Sequence, residues 1–211
     1  MFFMEILYDD NCIVVCVKDP GVLSEAGGMP ELLKSRTGAG DIFCVHRLDR
    51  AVGGVMVYAK TAGAAARLSA AVSDRRLKKE YLAVAEGEVA ESGTYRDLLF
   101  HDVRKNKTFV VDRVRKGVKE AVLDFRRMGY ESGLSLVYIT LHTGRSHQIR
   151  VQFASRKTPL AGDGKYGAFR REPPLALWSY SLSFPHPVTG ETMSFRRSPP
   201  PIPPWNIFDV P

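Results

Sequence analysis

The chain has 211 residues, with 30 Lys and Arg against 23 Asp and Glu, which gives a formal net charge of +7. This length can bury a sizeable apolar core, and the positive charge favours nucleic acid as partner, although an anionic membrane surface would also satisfy it. No apolar run is long enough to span a bilayer, and the N-terminus resembles neither a secretory signal nor a transit peptide. A cytoplasmic protein without a membrane partner is therefore expected.

The three cysteines indicate neither a disulfide framework nor a metal site. Cys12 and Cys16 lie in an apolar run typical of a buried strand, and no cysteine pair has zinc-finger spacing with histidine. The sequence also lacks a nucleotide-binding fingerprint. We therefore expect a reducing compartment and no cofactor or metal.

In chain order, the patterning predicts many short strands and few helices. The helix over 61–74 is alanine-rich and preceded by a possible capping residue, Thr61, and the strand over 134–142 alternates between two faces. The predicted strands are 5–8, 12–18, 54–59, 80–85, 108–114, 121–126, 134–142, 177–184 and 191–195, and the predicted helices are 30–36, 61–74 and 145–155.

This order lacks the regular β–α alternation of a doubly wound fold. It predicts an α+β fold, a single domain over 1–211 built on a mixed, largely antiparallel sheet flanked by a few helices. The proline-rich tail over 199–204 cannot pair continuously in a sheet. We expect a monomer without a separate N-terminal RNA-binding domain.

Three segments concentrate residues that can perform chemistry. In the first, Asp49 lies between Arg47 and Arg50 and precedes a glycine pair at 53–54. Neighbouring cations keep a carboxylate ionised, and a glycine-containing loop lets it approach a ligand closely. A surface Arg–Asp pair before a hairpin is the alternative reading of this segment.

The second segment places Tyr81 after two lysines, where the tyrosine could act as an acid, a base, a stacking platform or a packing residue. In the third, a Thr-Gly pair at 143–144 precedes the predicted helix 145–155, an arrangement typical of an anion site. His147 and Arg150 are three residues apart and would share one helix face, and Gln148 adds an amide.

These segments together resemble the RluA-type pseudouridine synthases. That family is marked by a His-Arg-Leu-Asp stretch, a later Lys-x-Tyr stretch and a Thr-Gly-Arg-x-His-Gln-Ile-Arg stretch, found here in the same order at 46–49, 79–81 and 143–150. The segment 159–167 is similar to the family's Pro-x-x-Gly-Asp-x-x-Tyr-Gly, and weaker matches lie at 6–21 and 184–190. The likeness spans almost the whole chain.

Two departures from the family pattern concern loops. Where the family usually carries Thr-Ser-Gly after the aspartate, this chain has Val52-Gly53-Gly54, and its Lys18-Asp19-Pro20-Gly21 is one residue longer than the family's Lys-Pro-x-Gly. These departures put loop shape and RNA preference in question more than the reaction.

The resemblance implies a pseudouridine synthase-like fold and the isomerisation of uridine in ribosomal or transfer RNA to pseudouridine. Asp49 would act at the sugar, by covalent attack or by stabilising positive charge at C1′, with Tyr81 as general base and Arg150 as the partner of Asp49. Arg47 would fill the place of the flipped base or hold a phosphate. His46, Arg145, His147 and Gln148 are further expected RNA contacts. A basic stripe of seven residues is expected to follow the RNA backbone; it consists of Arg104, Lys105, Lys107, Arg113, Arg115, Lys116 and Lys119.

Two other functions are consistent with parts of the sequence. A non-catalytic RNA-binding protein on the same fold would keep the basic stripe but would not need Asp49, Tyr81 and Arg150 together. A glycoside or nucleoside hydrolase would need a second carboxylate near Asp49, for which Asp163 is the candidate, although its glycine-flanked turn favours a structural role. The basic stripe itself could instead be a charged, solvated strand edge.

Overall fold

The computed structural model describes residues 4–169 and 174–211, and the chain divides into two compact units. The first comprises Met1–Lys79 with Trp178–Pro199, and the second comprises Glu80–Leu177 with Pro200–Pro211. The prediction of one domain over 1–211 stays a prediction. Within the described residues, no helix is of a length and apolarity that would let it cross a membrane.

The first unit is a sheet with two helices. The elements are β1 (Ile6–Asp9), β2 (Ile13–Lys18), α1 (Met29–Thr37), β3 (Phe43–Cys44), β4 (Gly53–Ala59), α2 (Ala62–Ser73), β10 (Leu177–Pro185) and β11 (Thr192–Arg196). The strand order is β1-β2-β4-β10, with β3 on β4 and β11 on β10. The β4–β10 pair is parallel, and the pairs β1–β2, β2–β4, β3–β4 and β10–β11 are antiparallel.

The core of the first unit forms where α2 covers this sheet. Thr61 caps α2 as predicted, since its Oγ1 accepts a hydrogen bond from Ala64 N at 3.2 Å. Leu68 of the helix packs with Val15, Val57 and other residues of the central strands, all of them fully buried. Every residue of β2 and β4 is buried, so these strands form the rigid base from which the loop at 46–52 projects.

The second unit is a sheet with one short helix. The elements are β5 (Lys78–Glu86), β6 (Ser92–Asp102), β7 (Lys107–Val111), β8 (Val118–Glu131), β9 (Leu134–Leu141), α3 (Gln148–Ala154) and a 3₁₀ turn, Trp205–Ile207. The strand order is β5-β9-β8-β6-β7, which leaves β7 at the edge, and the pairs β9–β8, β8–β6 and β6–β7 are antiparallel. The predicted α+β class, with a mixed and largely antiparallel arrangement of strands, is confirmed.

The differences from the predicted elements are concentrated in the second unit. Strand β6 was not predicted, and β8 is more than twice as long as the strand predicted at 121–126. The helix predicted over 145–155 begins only at Gln148, because His147 adopts a left-handed conformation with φ of 52°. A left-handed residue cannot continue an α-helix, so the preceding residues form a turn.

Candidate active site

The loop that carries Asp49 is fixed on both sides of this residue. Ser24 Oγ donates to the carbonyl of Leu48 at 2.9 Å and accepts from the Leu48 N–H at 3.1 Å. The Ser24 carbonyl in turn accepts from the hydroxyl of the fully buried Tyr58 at 2.9 Å. After Asp49, a turn closes with Val52 N donating to the Asp49 carbonyl at 2.9 Å. The Asp49 side chain, which is partly exposed, is thus presented from an ordered backbone.

A buried lysine ties this loop to the segment that follows β2. Lys18 is fully buried, and its Nζ donates to the carbonyls of Asp19 at 3.1 Å, Val22 at 2.8 Å and Arg50 at 3.3 Å. Burial lowers the pKa of Lys18 to about 8, opposed by the negative charges of Asp19 and Asp49. The ammonium therefore fixes the backbone immediately after Asp49 and adds positive charge beneath it.

The arginines on either side of Asp49 have partners in the facing loop. Arg47 is exposed, and its Nη1 lies 2.9 Å from Glu25 Oε2; this hydrogen bond, followed by the charges of Glu25 and Asp49, raises the pKa of Arg47. Arg50 Nε donates to the Gly21 carbonyl at 2.8 Å. Arg47 is exposed and therefore accessible to a ligand, whereas the hydrogen bond of Arg50 connects the Asp49 loop to the facing loop.

His46 occupies a position that favours packing over the RNA contact predicted for it. The residue is 7% exposed, and its Nε2 accepts from Val57 N of β4 at 3.2 Å. Burial, with a smaller effect of the Lys79 charge, lowers the pKa of His46 to about 3. The imidazole is therefore neutral at physiological pH and helps to attach the Asp49 loop to the sheet.

Close packing requires glycine at both positions of the pair that follows Asp49, which the sequence alone did not indicate. A Cβ at Gly53 would lie 2.4 Å from a ring carbon of Trp178, and one at Gly54, where φ is 119°, would lie 2.3 Å from the Ser179 carbonyl oxygen. The indole thus fills the space in which a serine would stand. The loss of the family's Thr-Ser hydroxyls accompanies a different packing of this loop, with Trp178 Nε1 donating to the Arg197 carbonyl at 2.7 Å.

The second unit contains a buried bidentate ion pair at its centre. Arg150 donates from Nε to Asp163 Oδ2 at 2.7 Å and from Nη2 to Asp163 Oδ1 at 2.8 Å, with side-chain exposures of 9% and 1%. Such a pair holds the guanidinium in a single orientation. Asp163 therefore has the structural role that its turn indicated. The predicted pairing of Arg150 with Asp49 stays a prediction.

Tyr166 joins this ion pair to the edge strand and to His147. The Arg150 guanidinium carbon lies 5.1 Å from the Tyr166 ring centre, a cation–π contact. The Tyr166 hydroxyl accepts from Thr108 N at 2.8 Å and lies 2.8 Å from His147 Nδ1. Because the hydroxyl accepts from a backbone amide, its own hydrogen is available for His147 Nδ1. His147 and Arg150 thus contact the same tyrosine, but not from one helix face as predicted, because His147 precedes α3 as its left-handed N-cap.

The amide of Gln148 and the side chain of Arg145 are engaged inside the unit. Gln148 is 3% exposed, and its Oε1 accepts from Thr143 Oγ1 at 2.8 Å and from Arg145 N at 3.1 Å. Its Nε2 donates to the Val122 carbonyl at 3.2 Å, and Arg145 Nε donates to the Glu120 carbonyl at 2.9 Å. The contacts of Gln148 favour a structural role over its predicted RNA contact. At the predicted anion site, the Arg145 N–H already donates to Gln148 Oε1.

Tyr81 and the basic stripe lie in very different surroundings. Tyr81 lies on β5 and is 6% exposed. This burial is compatible with a packing residue and with a general base that is reached only inside an enclosed site.

Arg113, Arg115 and Lys119 of the basic stripe are all exposed. Arg113 Nε lies 3.5 Å from Asp112, and the Arg115 guanidinium lies over the Phe100 ring at 5.0 Å. These three residues of the stripe are accessible to a polyanion.

The residues that sequence reasoning missed are those that hold others in place. Lys18 was predicted only as the end of a strand and the start of a loop longer than the family's, and Ser24 was not singled out. Tyr166 was noticed only as part of the segment 159–167, whereas Asp163 was expected to be structural but without a known partner. The one available signal was that segment's Gly-Asp and Tyr-Gly pairs, which place the two residues three apart on a turn.

Comparison with known proteins gives a consistent family result. Residues 13–155 match the family model described as RNA pseudouridylate synthase. The chain is 34% identical to ribosomal large subunit pseudouridine synthase D of Neisseria meningitidis serogroup A, covering 95% of this chain and 58% of that protein. It is 32% identical to the dual-specificity RNA pseudouridine synthase RluA of Haemophilus influenzae, covering 92% of each. The chain thus spans little more than half the length of the first relative.

Two human structures share the fold. Human RNA pseudouridylate synthase domain containing 4 has a TM-score of 0.77 at 22% identity, over 93% of this chain and 88% of that one. Human RNA pseudouridylate synthase domain containing 1 has a TM-score of 0.79 at 22% identity, over 96% and 86%. At this level of identity the likeness concerns architecture.

Proposed function

Since the chain belongs to the RNA pseudouridylate synthase family, we propose that it isomerises uridine in RNA to pseudouridine, with Asp49 as its catalytic residue. The observation that carries this proposal is the family match over 13–155 together with the way Asp49 is presented. A partly exposed carboxylate on a loop held by Ser24 at Leu48 and by Lys18 at Arg50 has the fixed position that reaction at a sugar carbon requires.

The reaction rearranges one nucleotide without adding or removing atoms. The C1′–N1 bond breaks, the uracil turns, C5 joins C1′, and the proton displaced from C5 is balanced by one gained at N1. Asp49 would either attack C1′ or stabilise positive charge there, and both roles need an ionised carboxylate. The Lys18 ammonium, whose pKa is lowered by burial and raised in part by the charges of Asp19 and Asp49, holds the backbone beside this carboxylate through the Arg50 carbonyl.

We assign supporting roles to Tyr81 and Arg150. Tyr81 would act as general base, for which enclosure is an advantage because water is kept from the transferred proton. Arg150, oriented by two hydrogen bonds to Asp163, would supply positive charge for the ionised site. The proposed partnership with Asp49 remains a prediction about the RNA-bound enzyme.

Ribosomal or transfer RNA is the proposed substrate. The Neisseria meningitidis relative is named for the large ribosomal subunit and the Haemophilus influenzae relative for a dual specificity. The exposed Arg47 and the basic stripe would contact the RNA backbone, whose phosphates supply much of the affinity in such complexes. Comparing pseudouridines in RNA from cells with and without this protein would identify the modified position.

The decisive test of the proposal is Asp49→Asn. The amide keeps the size of the side chain but removes its charge, so pseudouridine formation should be abolished while RNA affinity changes little. Asp74→Asn, which alters an exposed carboxylate paired with Arg76 in the same unit, is the matched control and should retain parental activity. Activity of Asp49→Asn within tenfold of the parent would refute the assignment.

A further inference from the structure

The β6–β7–β8 sheet has one covered face and one that remains partly exposed. Leu99 and Ala121 point to the covered face and pack with Val151 of α3. Alternate residues of a strand face opposite sides, so Phe100 points away from α3. Phe109 and Val118 are its direct partners on the neighbouring strands, and all three retain partial exposure. We call the surface formed by Leu98, Phe100, Phe109, Val111 and Val118 the outer face.

Each aromatic ring of the outer face has a cation close to it. The guanidinium of Arg115 lies 5.0 Å from the Phe100 ring centre, and Lys107 Nζ lies 5.9 Å from that of Phe109. Gly117 makes the turn beside Phe100 possible, with φ of 86° and no side chain to cover the ring. Two rings on adjacent strands are therefore bordered by positive charge, with Lys107 Nζ shared between Phe109 and the Tyr166 ring at 5.3 Å.

Two acidic residues lie near the rings on this side of the sheet. Glu120 of β8 pairs with Arg96 of β6 at 2.7 Å, and Asp102 of β6 lies directly opposite Lys107 of β7. The basic residues Arg96, Lys107 and Arg115 outnumber these two carboxylates, in a chain whose net charge is +7. A surface that combines aromatic rings with Lys and Arg has the chemistry of a site for single-stranded nucleic acid.

We propose that the outer face binds unpaired nucleotides of the RNA by stacking bases on Phe100 and Phe109. This inference rests on the proposed function, which supplies the RNA, and adds to it a site for bases that are not modified. Aromatic side chains on neighbouring strands of an exposed sheet stack successive bases in other RNA-binding folds. Stacking of a base on an aromatic ring is generally stronger than an exposed cation–π contact, so a base displaces Arg115, whose guanidinium then pairs with a phosphate.

The same features argue against a protein partner at this surface. The central part of protein–protein interfaces is depleted in charged residues. Here a cation lies near each ring, and desolvating it against a protein would be costly. A polyanion with planar bases can pair its phosphates with the cations and stack its bases on the rings.

The experiment measures the affinity of the full chain for fluorescein-labelled single-stranded oligouridylate and for a duplex RNA of equal length. Phe100→Leu and Phe109→Leu keep the apolar volume and remove the ring. Each should weaken binding of the single strand by roughly 5- to 150-fold while leaving duplex binding within about twofold. The matched control is Phe125→Leu, which removes a ring from the covered face and should leave both affinities unchanged in the folded protein.

A salt titration separates stacking from charge. The phenylalanine variants should keep the parental slope of log affinity against log salt, whereas Arg115→Gln should flatten it by about one unit or less. Unchanged single-strand affinity in both phenylalanine variants, or an equal loss with duplex RNA, would overturn the proposal and leave a protein partner as the remaining occupant.

Pseudouridine formation by the unmodified protein, measured in the same preparation, tests the proposed function separately. Its absence would refute the enzymatic assignment without altering the oligouridylate result.

Discussion

Replacing Lys18 by methionine should separate the stability of the protein from its activity. The ammonium is fully buried and holds three backbone carbonyls, one of them next to Asp49. Methionine has a similar length but cannot donate a hydrogen bond, so the loop loses this anchor. We expect the rate of pseudouridine formation at saturating RNA to fall at least tenfold, because small displacements of a reacting group strongly reduce the reaction rate.

Two opposing contributions make the effect on stability small. A pKa of about 8, against the ordinary 10.5, means that burial disfavours the Lys18 ammonium by about 3 kcal/mol, a cost that methionine removes. Against this gain, a buried carbonyl that loses its donor costs about 1–3 kcal/mol. The Arg50 and Asp19 carbonyls keep backbone donors, Gly21 N at 2.7 Å and Val22 N at 3.4 Å. The free energy of unfolding at pH 7 should therefore change by less than about 2 kcal/mol.

The pH dependence of unfolding gives an independent check on the same residue. Between pH 8 and 10.5 the unfolded chain binds more protons at Lys18 than the folded protein does, so this residue makes stability rise with pH. Its contribution is complete above 10.5 and is lost as the pH falls through about 8. Lys18→Met should remove this part of the rise, whereas the control Lys34→Met, at an exposed lysine, should not.

Urea unfolding followed by tryptophan fluorescence, together with single-turnover kinetics, measures both quantities. A Lys18→Met variant with a rate within threefold of the parent would refute the anchoring role, whatever its stability.

Three further predictions concern other parts of the molecule. Tyr81→Phe should preserve folding and RNA binding but lose most of the turnover, because only the hydroxyl is removed; near-full activity in single-turnover assays would identify Tyr81 as a packing residue. Asp163→Asn should lower the free energy of unfolding by about 3–5 kcal/mol, because it leaves the buried Arg150 guanidinium without its carboxylate. Asp112→Asn, at an exposed pair, should change it by less than about 0.5 kcal/mol, and equal effects in urea titrations would contradict the buried pairing. Neutralising Arg113, Arg115 and Lys119 together should flatten the log–log salt dependence of RNA binding by roughly one unit for each lost phosphate contact, and an unchanged slope would place the stripe away from RNA.

Local patterning was sufficient to predict most of the elements in the first unit. The helix capped by Thr61 and the buried strand before Lys18 follow from short-range rules, since capping and apolar periodicity involve residues near in sequence. Strand β6 was not predicted, because its sequence mixes Gly, Asp and Arg with apolar residues and it is stabilised as a strand by its pairing with β8. Long-range pairing of that kind has no signature in a single segment.

The functional segments were found by motif, while the roles of their members depended on tertiary contacts. His46 and Gln148 look like ligand-binding residues in the sequence, but one accepts a hydrogen bond from Val57 and the other joins Thr143 to Val122. A polar side chain in a motif can form hydrogen bonds with the backbone as readily as with a substrate. Only its burial and its partners in the structure distinguish a structural role from a binding role. Lys18 illustrates the same point, because its position at a strand end gave no reason to expect complete burial.

The contact of Tyr166 with Thr108 has a consequence for how this family member can evolve. The register of a hairpin is ordinarily set by its turn, so a change in turn length threatens the whole pairing. Here the Tyr166 hydroxyl accepts from Thr108 N, and Thr108 Oγ1 donates to the Ser146 carbonyl at 2.8 Å, so β7 is positioned from outside the hairpin. Insertions or deletions in the turn at 103–106 should therefore leave the pairing of β7 in place, so this turn can change in length at little cost to the sheet.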